Sequence, residues 1–290
     1  MKLGSYKHFM ILCCVVQLLY SCTNVIAKTN AHSTNISYVL FREFHEGDRS
    51  MAPLSLLLFC GLYTTQIAIL SIQFLYRYIY LWHPHHLRIF DRNKFCFWLL
   101  GVFLFGAFVP FLKYNFLEEN DSLTNELRED FKNIYGFSMN EVVYNGAIYY
   151  KCNDSLNCVR PVKIWLTAAT LVLSVMICFI SIIFFGSISF IRIRTALKLS
   201  DQMREQQQQL LRALFIQATI PCIFIYIPSE ILFITPMFGV GLGEHSNIPM
   251  IMMTIYPAVE QIGVIYVIKD FRIIIKRWVT RTLTRTSDIS

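Results

Sequence analysis

Charge is scarce in this chain, and its distribution matters more than its total. Asp, Glu, Lys and Arg make up 16% of the 290 residues, against about a quarter in soluble domains. Ile164–Ile191 is a run of 28 residues with none of them, and Phe95–Leu112 a run of 18 fenced by Lys94 and Lys113. No soluble fold needs such runs, whereas a bilayer core about 30 Å thick needs roughly 20 apolar residues in a helix. Other things are missing too. No Ser–His–Asp set, Gly-rich phosphate loop or metal-ligand cluster is present, so nothing supports an enzyme, and no cofactor or metal is expected. The nearest approach to a metal motif is "HPHH" at 83–86, better read as wet imidazoles in an interfacial loop. Strand-like alternation is absent from the apolar runs, against a β-barrel, and no inverted internal repeat is visible.

What is present is a series of six apolar segments: His8–Ile26, Leu54–Tyr76, Phe95–Leu112, Ile164–Ile191, Ala213–Phe238 and Ile248–Ile268. The predicted fold is all-α, a polytopic membrane helix bundle with the lipid bilayer as its solvent. Pro221, Pro228 and Pro257 punctuate the last two spans and are expected to kink them. Segments 1–7, 77–94, 192–212 and 269–290 hold 17 of the 26 Lys and Arg; the opposite loops hold 12 of the 19 Asp and Glu. Cytoplasmic flanks collect Lys and Arg, which places both termini in the cytosol. The net charge of +7 thus reads as membrane orientation, not as nucleic-acid binding. Three N-glycosylation sequons, at Asn35, Asn120 and Asn153, all fall on the side assigned outside.

Single residues carry further expectations. Glu230 and Glu260 lie inside apolar spans, where a charged side chain must find a partner or water. Glu230 is nearer the outer face, facing ligand or a wet crevice. Glu260 serves helix contact, ion coordination or switching, or is a protonated structural link. Of nine cysteines, only Cys152 and Cys158 occupy an outer loop, where a local bridge closing "CNDSLNC" is possible. Cys60 lies too deep in its span for such a bond. The outer loop 113–163 is polar enough for helix or irregular structure. The inner loop 192–212 lacks Gly and Pro and is expected to extend its flanking spans as helices. The tail 269–285 interleaves Phe271, Ile274, Ile275 and Trp278 with bases, as an amphipathic helix on the inner leaflet would.

Three stretches carry a resemblance: "IQFLYRYIYLWHP" (72–84), "QQLLRALFIQATIPCIFIYIPSEILFITPMFGVGLG" (208–243) and "IYPAVEQIGVIYVIKDFR" (255–272). Together they resemble the nematode serpentine chemoreceptors of class r, with the class J group close beside. The resemblance implies a G protein-coupled receptor fold over 1–277 with a cytoplasmic tail at 278–290. It implies a chemosensory, olfactory-type receptor at the plasma membrane of a sensory cilium, binding a small odorant or pheromone-like ligand and a heterotrimeric G protein. Within Tyr76-Arg77-Tyr78, Arg77 stands where such receptors place the arginine that engages the G protein; read by itself, it is also an interfacial charge anchored by two tyrosines. The last helix of the family usually reads Tyr-Pro-x-x-Asp-Pro. Here Tyr256-Pro257-Ala258-Val259-Glu260-Gln261 keeps an acid, one methylene longer, and loses the second proline.

Leu3-Gly4-Ser5-Tyr6-Lys7 resembles the basic turn before the family's second helix. The six spans are then helices two to seven, the first being absent through a missed exon, a truncated gene copy or a genuine six-helix product. The competing readings are a membrane transporter or channel, suggested by the two intramembrane glutamates, and a receptor remnant that does not signal.

Overall fold

The computed structural model describes residues 6–44, 51–152, 158–195, 201–267, 272–274 and 277. Its long helices begin and end close to the apolar limits of the sequence. They are α1 (Tyr6–Ala27), α2 (Ala52–Trp82), α3 (Arg92–Phe116), a short polar α4 (Asp121–Asp130), α5 (Val162–Thr195), α6 (Asp201–Pro221), α7 (Ile227–Ile234) and α8 (Ile248–Val267). Six helical segments among the described residues are long and apolar enough to cross a membrane, the fifth running from α6 through α7 as Met203–Phe238. The inner loop does continue as helix: α5 extends to Thr195 and α6 opens at Asp201. The expected amphipathic tail lies outside the described residues apart from helical residues 272–274 and 277.

Helix α2 is the axle of the bundle, packing against α1, α3 and α5 and touching α6. Its face toward α3 is cut from small residues. A Cβ on Gly106 would meet Thr65 Oγ1 at 2.0 Å, so only glycine lets the two helices cross here. Ser71 Oγ donates across to the Cys178 carbonyl at 3.2 Å, joining α2 to α5. The prolines act as expected in the fifth span. After Pro221 the chain widens into a single π turn (Cys222–Tyr226), α7 then carries Pro228 in its first turn, and a 3₁₀ turn (Thr235–Phe238) closes the span.

One end of the bundle carries a sheet as well as the helix or irregular structure expected of the outer loop 113–163. Strands β1 (Asn30–Ser33), β2 (Ser37–Glu43) and β3 (Val142–Ile148) form an antiparallel sheet in that order, with Asn30 opposite Phe41 and Ser37 opposite Ile148. The sheet is a layer between two cores. Tyr38, Leu40, Val143 and Ala147 face the helices, while Val39, Phe41, Val142 and Tyr144 pack on Leu123, Leu127 and Phe131 of α4 and the turn after it. That alternation is the period of two of a strand. Asn120 caps α4, its Oδ1 accepting from Leu123 N at 3.0 Å. Gly146 permits the tight layering, since a Cβ there would come within 2.5 Å of Val39 and 2.6 Å of Leu123.

The sheet is also stitched to the spans. Arg42 donates to Ser55 Oγ of α2 at 2.9 Å. Ala31 N donates to Asn247 Oδ1 at 3.1 Å, and Ser33 Oγ accepts from Leu242 N at 3.0 Å, just before α8. The Tyr149 hydroxyl donates to the Phe233 carbonyl of α7 at 3.0 Å. A short hairpin, β4 (Lys151–Cys152) with β5 (Cys158–Val159), sets Cys152 opposite Cys158.

Candidate functional site

Three polar groups interrupt the apolar bundle, one near each end and one between. At the end away from the sheet, α2 runs Tyr76-Arg77-Tyr78. Tyr76 is buried among aromatic rings, 5.1 Å between centroids from Phe90 and 6.3 Å from Phe9. The Tyr78 hydroxyl lies 3.4 Å from His83 Nε2. Arg77 points the other way, into the bundle, and is only 4% exposed. Its Nη1 donates to Gln207 Oε1 of α6 at 3.2 Å. An interfacial anchor would reach for water; this guanidinium instead ties two helices together. Gln207 belongs to the four-glutamine run, and it lies on the stripe of buried residues Gln207, Leu211, Leu214 and Gln217, a helical spacing that could have singled it out.

Midway, α1 and α8 meet through a chain of amides. Gln261 Nε2 donates to Gln17 Oε1, and Gln17 Nε2 donates to Glu260 Oε1, both at 2.6 Å. Glu260 is 1% exposed, so this acid is a buried link between helices, with Oε2 lacking a hydrogen-bond partner. One turn earlier, the Tyr256 hydroxyl donates to Gln66 Oε1 of α2. Pro257 lies between them inside α8. The two motif residues Tyr256 and Glu260 thus fasten α8 to different neighbours. Gln17 and Gln66 complete the arrangement and were not singled out from sequence.

Beneath the sheet lies a cavity of about 80 Å³. Its roof is Tyr38 and Leu40 of β2, and its walls come from α2, α3, α5, α7 and α8. Glu230 lines it, as does Lys113 of α3. Lys113, which ends the apolar run of the third span, is 8% exposed. Cys60 is a free thiol lining the same space. In the same wall the Tyr63 hydroxyl and Ser229 Oγ are 2.8 Å apart.

The other sequence candidates sit at the sheet end. Asn35 is exposed and its Oδ1 accepts from Gly241 N at 2.9 Å; Asn120 is the exposed cap of α4. Asn153 lies outside the described residues. Cys158 is disulfide-bonded. Outside the spans, Glu126 Oε1 and Oε2 accept from Thr34 Oγ1 at 2.6 Å and Ser37 Oγ at 2.9 Å. Burial pushes its carboxyl above the ordinary value of 4.5 despite these two donors.

Comparison with known proteins accounts for this architecture. The model of the family described as serpentine type 7TM GPCR chemoreceptor Str matches residues 1–276. The G-protein coupled receptor str-33 of Caenorhabditis elegans is 27% identical over 277 residues, covering 93% of this chain and 80% of that protein. The serpentine receptor class r-10 of Caenorhabditis briggsae is 27% identical over 284 residues, with the same two coverages. The serpentine receptor class J-38 of C. elegans is 26% identical over 284 residues, covering 93% and 82%. A match over nearly the whole chain, joined to six helices able to cross a bilayer, makes this a multi-pass membrane protein. The chain belongs to the Str family of serpentine, G protein-coupled receptor-type chemoreceptors.

Proposed function

We propose that this receptor is olfactory in type: a small odorant or pheromone-like molecule enters the cavity beneath the sheet, and a heterotrimeric G protein reads the Arg77 end. The observation that carries the reading is the buried Arg77–Gln207 hydrogen bond between α2 and α6, at the end of the bundle opposite the cavity. A ligand can shift a helix equilibrium only through contacts that differ between its two states. The cavity is walled by α2 and by α7, which continues α6, so its occupancy acts on both partners of that bond. Tyr76 and Tyr78 hold the end of α2 in place, while Tyr256, Pro257 and Glu260 set the position of α8.

In this reading the sheet end is outside, in keeping with the sequons, and both termini are cytoplasmic, in keeping with the Lys and Arg distribution. The six spans correspond to the family's second to seventh helices, a register supported by Leu3-Gly4-Ser5-Tyr6-Lys7. The site of action is the plasma membrane of a sensory cilium. The test is ligand-stimulated nucleotide exchange on a G protein by the receptor and its Arg77→Ala variant. Loss of stimulation with ligand binding retained supports the reading. Undiminished stimulation by the variant rules out the role of Arg77.

A further inference from the structure

The cavity under the sheet has an unusual charge pattern for a space in a membrane bundle. Lys113 and Glu230 line it together, yet they are not an ion pair: among the described residues only His32 and Asp130 approach within 4.0 Å. The Lys113 ammonium sits among Cys60, Tyr38 and Glu230, 5.8 Å from the centroid of the Tyr38 ring. Glu230 Oε2 is buried without a hydrogen-bond partner. The nearby hydroxyls are already engaged, since Tyr63 and Ser229 share one hydrogen bond and Ser229 Oγ also donates to the Ile225 carbonyl at 2.7 Å. Most of the remaining wall is apolar, including Leu40, Phe59, Val109, Leu171 and Phe233.

Two separated, opposite charges in an apolar wall define what fits between them. An apolar guest leaves Glu230 Oε2 without a partner and gives the Lys113 ammonium nothing beyond Cys60 and Tyr38, and burying a polar or charged group with too few partners is costly. A simple acid satisfies Lys113 alone, and a simple amine Glu230 alone. A molecule with a carboxylate at one end and an ammonium at the other satisfies both, while its short aliphatic body meets the apolar wall. Size sets a second limit: the cavity is about half the ~150 Å³ that accommodates benzene. Building on the ligand-receptor reading above, we infer that the cavity selects a small zwitterion of the amino-acid class, with its carboxylate on Lys113 and its ammonium on Glu230.

The test uses the full chain in lipid nanodiscs. Its thermal unfolding midpoint is titrated with glycine and β-alanine, and with acetate, propionate and ethylamine as singly charged controls. At least one zwitterion should act at a concentration tenfold or more below the best control. Glu230→Gln should remove its advantage over the acids, and Lys113→Met its advantage over the amine. Lys113→Arg keeps the charge and should keep the preference, which guards against a variant that merely fails to fold. Equal effects of zwitterions and controls, no effect of any zwitterion, or a preference surviving both neutral variants would overturn the inference. Nucleotide exchange on a G protein is measured in parallel. Zwitterion binding without exchange counts against the receptor reading and leaves the site standing; exchange driven by an apolar odorant does the reverse.

Discussion

Replacing Gln207 by Leu should switch the receptor partly on. The side chain is 5% exposed and accepts a hydrogen bond from the Arg77 guanidinium at 3.2 Å, joining the end of α2 to the start of α6. Hydrogen bonds to charged groups contribute about 1.5–3 kcal/mol, and a buried donor that loses its partner carries its full desolvation cost. Leucine keeps the volume and the apolar contacts of the stripe, so the lost term falls on the closed arrangement alone. In the function proposed above, Arg77 turns to water or the G protein in the open arrangement and does not need Gln207. Taking the lower figure, ~1.5 kcal/mol corresponds to about a tenfold shift toward the open state, since 1.4 kcal/mol is a factor of ten. The assay is ligand-free nucleotide exchange on a G protein at matched receptor density, where we expect basal exchange to rise about tenfold. Gln207→Glu, which strengthens the tie, should lower it. Basal exchange that is unchanged or reduced in Gln207→Leu would refute the reasoning.

Further outcomes can be checked independently. Gln17→Leu strips Glu260 of its donor and should destabilise the detergent-solubilised protein by about 1 kcal/mol, within the range of polar contacts between membrane helices; a Gln17/Glu260 double-mutant cycle with no coupling would contradict the link. If the sheet end is outside, Asn35→Gln and Asn120→Gln should each remove one glycan's mass from the protein made in a secretory host, and an unchanged mass would reverse the orientation. A carboxyl whose pKa is higher folded than unfolded binds its proton more tightly in the folded state, so stability falls as pH rises through that interval. For Glu126 the interval opens near 4.5 and extends upward. Glu126→Gln should therefore flatten the fall in unfolding midpoint over that range, with an unaltered slope counting against it.

The helical half of this structure was legible because it follows from hydrocarbon thickness alone. Apolar runs mark all six spans, four of them free of charge and two with a single glutamate, and the prolines mark where the fifth breaks. The sheet was not legible. "SYVLFRE" is buried over six of its seven residues, because helices cover one face and α4 the other, so no polar alternation betrays it. Its pairing with "VVYNGAI" lies about a hundred residues away, across two spans. Lys113 was missed for a related reason. A lysine ending an apolar run ordinarily snorkels toward water, and only the sheet closing above it turns that flank into a cavity wall. Glu230 and Glu260 could be flagged by their cost in lipid, but their different surroundings depend on packing. Gln207 was within reach, through the spacing of Leu211 and Leu214.

The reading stands or falls on whether α2 and α6 part at the Arg77 end when a G protein binds. Spin labels placed at the exposed positions Tyr80 and Met203, in a background lacking the exposed cysteines, report that separation in nanodiscs. We expect the distance distribution to shift to longer values on addition of nucleotide-free G protein, and to return on adding nucleotide. A distribution that the G protein leaves unmoved would contradict it.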